Sequence, residues 1–269
     1  MLAVYALLLG VLWMNQERVV FQPPAVLAGA RLPDLDGLVL RQVSYRAEDG
    51  TALGGFIVGD PEQARGLVVA FHGNADLARN LVPWAAQVVR RTHTAVFLPE
   101  IRGYDGFAGR PTYGGAALDA RAALRVVRDS LHIPPTRLAY FGHSLGSAIA
   151  TELASEQPPA VLILESPLSS ARAMAQRMLF PGLSLLWRIV SRVHYDTVRR
   201  VGELKVPVWV AHGDRDVIIP VRMGREVFAA AAVPGELLIV RGAGHNDVAL
   251  QAGDAYWTWL QHALSSVTR

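Results

Sequence analysis

Cysteine is absent from the 269 residues of this chain. A disulfide scaffold, a cysteine nucleophile and a thiolate metal site are therefore excluded. The absence of cysteine does not identify the cellular compartment, because an oxidising compartment permits disulfides without requiring them. Charge is also scarce, at 18% of residues against 51% hydrophobic ones, which excludes a disordered chain and a coiled coil. The net charge is only +3 with no basic run, so we expect no nucleic-acid partner.

The chain also lacks an apolar run long enough to cross a bilayer as a helix. Residues 1–14 are apolar throughout, but as a helix they would span about 21 Å, short of the ~30 Å hydrocarbon core. A signal peptide would carry a basic residue before its apolar stretch, and none stands there in this sequence. We predict that residues 1–21 form a membrane anchor or an interfacial helix, making the protein membrane-associated. A cleaved signal peptide (secreted or periplasmic protein) and a docked helix (cytoplasmic protein) are the alternatives.

Short apolar runs alternate with amphipathic segments beyond residue 30. Residues 39–45 and 53–58 read as a hairpin, and six continuous apolar runs follow at 67–71, 95–98, 138–141, 161–164, 206–211 and 237–240. Unbroken runs of this length are typical of strands buried on both faces of a parallel sheet. Helical periodicity marks residues 77–91, 116–130, 144–156, 222–232 and 247–264. This alternation predicts a three-layer α/β fold, with residues 22–269 as one domain.

The pentapeptide GHSLG at residues 142–146 follows a predicted strand and opens a predicted helix. In this context G-x-S-x-G is a nucleophile elbow, a tight turn that holds the serine hydroxyl up at the edge of the sheet. We therefore predict that Ser144 is a catalytic nucleophile. The alternative, a serine that only caps the helix, is left open.

A serine nucleophile needs a base, and the base needs an acid to orient it. In this fold the acid and then the histidine follow the serine along the chain. His245 lies in a glycine-containing loop after the last predicted strand, and we predict that it is the base. Asp216, after the preceding strand, is the preferred acid, because an apolar stretch follows it and packs its loop down. Glu165 and Asp214 are the competing candidates.

The sequence HGNA at residues 72–75 follows the first of the parallel strands. In such folds this loop supplies one N–H of the oxyanion hole, and the residue after the nucleophile supplies the other. We assign these N–H groups to Asn74 and Leu145. His72 as a metal ligand is the rival interpretation, but it lacks partners at ligand spacing. We expect neither a metal nor a cofactor.

In their order, these strand-end motifs resemble the serine α/β-hydrolase family over about residues 39–269. With the apolar N-terminus and the segments ERVVFQPP, RGY, ESP and HGDRDVIIP, the sequence is similar to a membrane-anchored branch that includes depalmitoylases and lysophospholipase-like enzymes. The resemblance implies an eight-stranded, mostly parallel α/β-hydrolase sheet whose second strand is antiparallel. It also implies the triad Ser144, Asp216 and His245. The sequence departs from the family pattern at Asp76 and at residues 105–107, which bears on substrate preference.

Residues 166–204 occupy the usual position of a lid and carry six arginines against two acidic residues. Such a basic, partly apolar stretch can lie on an anionic membrane, although it can equally be a cover whose arginines face solvent. The expected substrate-binding residues are Ala75, Tyr104, Phe180 and Trp187.

The sequence thus predicts a monomeric serine hydrolase that cleaves esters or thioesters of small acyl or lipid-like substrates through an acyl-enzyme, with a membrane surface as a partner. A peptidase or amidase, and a non-catalytic binding module on the same fold, are the alternatives.

Overall fold

The computed structural model describes residues 2–25, 32–178 and 191–267. In these residues eight strands form one sheet in the order β1-β2-β4-β3-β5-β6-β7-β8. The strands are β1 Leu40–Arg46, β2 Ala52–Val58, β3 Leu67–Phe71, β4 Ala95–Pro99, β5 Leu138–His143, β6 Val161–Glu165, β7 Val208–Gly213 and β8 Pro234–Val240. Strand β2 is antiparallel to both of its neighbours, and the remaining pairs are parallel. The predicted α/β fold is confirmed.

The described helices are α1 Leu2–Val20, α2 Val82–Thr92, α3 Tyr113–Arg125, α4 Leu145–Glu156, α5 Ala171–Met178, α6 Thr197–Glu203, α7 Val221–Ala230, α8 Val248–Ala252 and α9 Asp254–Leu264. Three depart from the predicted bounds by more than two residues. The helix predicted at residues 116–130 begins at Tyr113 and ends at Arg125, where a π-helical turn at Val126–Ser130 follows it. A 3-10 turn at Ala78–Leu81 precedes α2, whose first turn accommodates Pro83 because the N–H groups there have no partner within the helix. The predicted helix at residues 247–264 is broken at Gly253, where φ is +53°.

The central strands are buried on both faces. Along β3, Leu67, Val69 and Phe71 pack into one hydrophobic cluster with α3 and α4. Val68 and Ala70 pack into a second cluster on the opposite face, with α2 and α9. Because every side chain of the strand is enclosed, its sequence shows a continuous apolar run rather than alternation.

The C-terminal end of α1 packs against the rest of the protein. Phe21, just after the helix, is 2% exposed and belongs to the core. The backbone N–H of Arg192 donates to Gln16 Oε1 at 2.6 Å, and the Arg192 guanidinium lies over the Trp13 ring, 4.5 Å from its centroid. Further toward the N-terminus, Leu7 is 68% exposed. Within the described residues, no helix has the length and apolarity needed to cross a membrane.

The turn from β5 into α4 brings backbone into contact with backbone. A Cβ on Gly142 would lie 2.3 Å from the carbonyl oxygen of Gly146, and a Cβ on Gly146 would lie 2.2 Å from that of Phe71. Neither neighbour is a flexible side chain, so only glycine fits at either position. This contact sets α4 directly against the end of β3.

We expect Gly146→Ala to destabilise the protein by about 1–3 kcal/mol or more, because the added methyl group overpacks a rigid backbone contact. Gly114→Ala, in α3, is the matched control, since a Cβ there meets nothing within 4 Å. It should leave stability unchanged or raise it by about 0.5–1 kcal/mol. Urea unfolding of both variants measures the difference, and equal stabilities would contradict the close-packing argument.

Candidate active site

The carboxyl ends of β5, β7 and β8 bring Ser144, Asp216 and His245 together. His245 Nε2 lies 2.9 Å from Ser144 Oγ, and His245 Nδ1 lies 2.7 Å from Asp216 Oδ2. A carboxylate only accepts hydrogen bonds, so Nδ1 carries the ring proton and Nε2 accepts from the serine hydroxyl. This is the geometry of a nucleophile, a base and an orienting acid.

Ser144 sits in a strained backbone conformation, with φ +54° and ψ −119°. Its N–H donates to the carbonyl oxygen of Glu165 at 3.0 Å, which ties the elbow to the neighbouring strand β6. Positive φ is uncommon for a residue with a side chain, and such strain tends to cluster at active sites. Here it places the hydroxyl outside the sheet edge and in reach of His245.

The Asp216 carboxylate is held by four hydrogen bonds. Oδ1 accepts from the N–H groups of Ile218 at 2.9 Å and Ile219 at 2.8 Å. Oδ2 accepts from His245 and also from His212 Nε2 at 3.1 Å. Burial alone would raise the pKa of Asp216, but hydrogen bonds from His212, His245 and Ile219 outweigh it and hold the pKa well below its ordinary value. The group is therefore a carboxylate at neutral pH.

Neither competing acid has a hydrogen bond to His245 among the described residues. The Glu165 side chain is buried beside the cavity described below, and its Oε2 has no hydrogen-bond partner in the described part of the chain. Asp214 Oδ1 accepts from the N–H of Gly242 at 2.7 Å and so joins the loops that follow β7 and β8. Asp216 is thus the carboxylate that contacts His245.

Two further histidines support this arrangement. His212 Nε2 faces both Asp216 and the carbonyl oxygen of Ile219, at 2.8 Å, so it carries the proton and donates. His143 Nε2 donates to the carbonyl oxygen of His245 at 3.0 Å, and burial lowers the pKa of His143. His143 is therefore neutral and fixes the backbone of the residue that carries the base.

The predicted oxyanion donors, Asn74 and Leu145, line the same cavity as Ser144. In the described residues, neither the N–H of Asn74 nor that of Leu145 donates to another protein group. The Asn74 side chain, in contrast, is bonded through Oδ1 to the N–H of Gln22 at 2.8 Å and to the hydroxyl of Tyr104 at 2.9 Å. The loop thus leaves two N–H groups available beside the serine.

A cavity of about 830 Å³ opens over Ser144. Its lining includes Ala75 and the polar residues Gln22, Asn74, Asp76, Asn80, His143, Ser144, Glu165, His245 and Asn246. Apolar side chains line the remainder, among them Val19, Val20, Leu81, Trp84, Phe141, Leu168, Met174, Met178, Ile218 and Leu250. Ala75 therefore lies where it was expected to contact substrate.

The remaining expected substrate-binding residues differ from Ala75. Tyr104 is a correction: it is fully buried, does not line the cavity, and uses its hydroxyl to hold Asn74. Phe180 and Trp187 lie outside the described residues. No motif predicts the walls formed by Val19 and Val20, because their place in the site depends on how α1 docks.

The HGNA loop is held at its base by a buried ion pair. His72 Nε2 lies 2.6 Å from Glu100 Oε1, and its Nδ1 lies 2.8 Å from the carbonyl oxygen of Gly73. Two acceptors require both ring nitrogens to be protonated. Burial opposes the charge, but the adjacent Glu100 outweighs burial and raises the pKa of His72. Glu100 Oε2 also accepts from the N–H of Ala78, which closes the loop.

Solved structures share this fold. An esterase of Pyrococcus furiosus superposes with a TM-score of 0.72 at 18% identity, covering 91% of this chain and 97% of that one. A bacterial heroin esterase gives a TM-score of 0.69 at 22% identity, covering 99% and 90% of the two chains. The sheet topology and the placement of serine, acid and histidine at strand ends define an α/β-hydrolase.

The family model for serine aminopeptidase, S33, matches residues 62–197, and the chain belongs to that family. An uncharacterized protein of Mycobacterium tuberculosis is 35% identical over 246 residues, which cover 90% of this chain and 84% of the relative. The human α/β-hydrolase domain-containing protein 17B is 27% identical over 205 residues, which cover 76% of this chain and 69% of the relative.

The His72–Glu100 pair predicts a pH-dependent stability. A histidine whose pKa is raised on folding contributes its full stabilisation at any pH below the ordinary histidine pKa of about 6.5. This contribution is lost as the pH rises through the pKa of the folded state. The unfolding free energy of the wild type should therefore exceed that of Glu100→Gln by more at pH 5.5 than at pH 9. Urea unfolding across this range tests it, and a pH-independent difference would mean that His72 is neutral.

Proposed function

We propose that this protein is a serine hydrolase that cleaves carboxylic esters or thioesters of acyl or lipid-like substrates through an acyl-enzyme. The observation that carries the proposal is the Ser144–His245–Asp216 chain of hydrogen bonds, whose serine and histidine line a mainly apolar cavity. A reactive hydroxyl placed where an apolar acyl chain can be buried suits acyl transfer.

The first half of the reaction follows from the hydrogen bonds. Ser144 Oγ attacks the substrate carbonyl carbon as its proton passes to His245 Nε2. The negative charge that develops on the carbonyl oxygen is stabilised by the N–H groups of Asn74 and Leu145. When the tetrahedral intermediate collapses, the bond to the alcohol or thiol breaks, and His245 donates its proton to that leaving group.

Water completes the cycle by the same route. His245 takes a proton from water, the hydroxide attacks the acyl carbon, and Ser144 leaves with the proton returned to its oxygen. Asp216 stays ionised throughout, since its lowered pKa keeps it a carboxylate that stabilises the imidazolium. No metal or cofactor takes part in this proposal.

The cavity supports an acyl or lipid-like substrate. Its volume of about 830 Å³ falls in the range of roughly 300–1,000 Å³ usual for small-molecule pockets. Four lining side chains are also exposed and therefore stand at its mouth: Val19 at 40%, Ile218 at 50%, Met178 at 62% and Leu250 at 80%. Val217, next to Ile218, is 79% exposed. An apolar rim of this kind suits entry of substrate from a lipid surface.

Membrane association forms part of the proposal. Residues 1–21 serve as an anchor or interfacial helix on a catalytic domain of residues 22–269 with a lid at residues 166–204, and the protein works as a monomer. Exposed apolar side chains on α1, such as Leu7 and Met14, support this. So does the likeness to a small, membrane-anchored branch of hydrolases that includes depalmitoylases and lysophospholipase-like enzymes. Nucleic acid has no role in it.

A peptidase that binds a substrate amine is the second candidate. Two carboxylates, Asp76 and Glu165, line the cavity beside Ser144 and suit an ammonium group. The description of the family as serine aminopeptidase points the same way. Aminoacyl p-nitroanilides distinguish the two: turnover faster than that of matched aliphatic p-nitrophenyl esters would favour the peptidase.

Ser144→Ala should abolish hydrolysis of p-nitrophenyl esters, lowering kcat by about 10⁶-fold because the nucleophile is lost. Ser266→Ala, an exposed serine far along the chain, is the control and should retain full activity. A fluorophosphonate probe should label the wild type and the control but not Ser144→Ala. A wild type that neither labels nor turns over any ester from C2 to C16 would favour the non-catalytic binding module instead.

Val217→Glu should weaken binding to anionic lipid vesicles by about tenfold, since a charge replaces an apolar side chain that the lipid would bury. The control is Val233→Glu, which alters an exposed valine just before the amino end of β8, whereas Val217 follows the carboxyl end of the neighbouring parallel strand β7. Vesicle sedimentation measures binding, and turnover of long-chain esters on vesicles should fall in parallel. Equal binding by both variants would remove the apolar rim from the proposal.

A further inference from the structure

The Asn74 side chain is the point at which three distant parts of the chain meet. Its Oδ1 accepts one hydrogen bond from the backbone N–H of Gln22, at 2.8 Å, and one from the hydroxyl of Tyr104, at 2.9 Å. Tyr104 is fully buried, so its hydroxyl has a fixed position. An amide oxygen offers two acceptor positions, and both are used here.

The position of Gln22 is set by the docking of α1. Gln16 is fully buried and is bonded to the backbone of Arg192, while Phe21 lies in the core. Glu17 Oε1 accepts from the N–H of Tyr113 at 3.3 Å, at the start of α3. The segment at residues 15–22 is thus held by the backbone of Arg192, by the core and by the start of α3. The Gln22 N–H that donates to Asn74 therefore has a fixed position.

The peptide that carries the Asn74 N–H is also held through its carbonyl oxygen, that of Gly73, which accepts from His72 Nδ1 at 2.8 Å. The Asn74 N–H itself has no protein partner in the described residues, and the next residue, Ala75, has a positive φ of 53°. The His72–Glu100 pair and the Ala78 N–H fix the two ends of the loop. The orientation of the Gly73–Asn74 peptide therefore depends on the His72 hydrogen bond on one side and on the Asn74 side chain with its two donors on the other.

We infer that residues 15–22 are a structural part of the active site, in which the Gln22 N–H and the Tyr104 hydroxyl position the N–H of Asn74 toward the substrate oxyanion. The inference rests on the proposed function and adds the group that aligns its oxyanion hole. Both groups are positioning groups, since they act through Asn74. An error of about 1 Å in such a donor is enough to lower the rate by about a hundredfold.

Gln22→Pro removes the N–H donor. Ala25→Pro is the matched control, because it stiffens the same extended stretch and its N–H has no partner among the described residues. For Gln22→Pro we expect a ten- to hundredfold lower kcat for p-nitrophenyl butyrate with KM unchanged. Affinity for a trifluoromethyl ketone, which mimics the oxyanion, should fall by a similar factor. Ala25→Pro should match the wild type in both measurements and in melting temperature.

Tyr104→Phe removes the second donor without any change to the backbone and should show the same split between kcat and KM. The inference is overturned if both variants keep wild-type kcat and wild-type affinity for the ketone. Order parameters of the Asn74 and Ala75 amides, from ¹⁵N relaxation, give a readout that needs no turnover, and they should fall in both variants. If the wild type hydrolyses no ester, the proposed function fails, and unchanged order parameters would then separately overturn the positioning role.

Discussion

The close contact between the start of α4 and the end of β3 is the constraint on which the site depends. Gly142 and Gly146 allow backbone atoms to approach where any side chain would collide, and this permits the strained turn at Ser144. The close approach of Gly146 to the backbone of Phe71 and His72 also places the start of α4 beside the HGNA loop. Leu145 and Asn74 therefore line the same cavity as Ser144. Asp216 and His245 then need only reach a position that the sheet already defines.

Much of this arrangement could be predicted from the sequence because its determinants are local. Continuous apolar runs indicated strands enclosed on both faces, and the clusters on either side of β3 have that character. The serine, the acid and the histidine each follow such a run directly. Parallel strands bring their carboxyl ends to one edge, so chain order alone was enough to name three residues that the structure brings into contact.

The walls of the site could not be predicted in this way. Val19, Val20 and Gln22 reach the cavity through contacts that join positions 52 or more residues apart, and no periodicity or motif encodes such a contact. Tyr104 was placed in the pocket because its motif lies near it, yet its ring faces inward and its hydroxyl supports Asn74. Motifs thus identify the serine, the acid and the histidine, whereas the shape of the cavity depends on long-range packing.

The cavity is lined by residues that lie far apart in the sequence, such as Val19 and Leu250. During synthesis, Ser144 is made 101 residues before His245. A nascent chain that ends after α4 therefore holds Ser144 but neither Asp216 nor His245. The hydrogen-bonded chain of serine, histidine and aspartate forms only after His245 has been made, so a shorter nascent chain carries the serine without the base that would activate it.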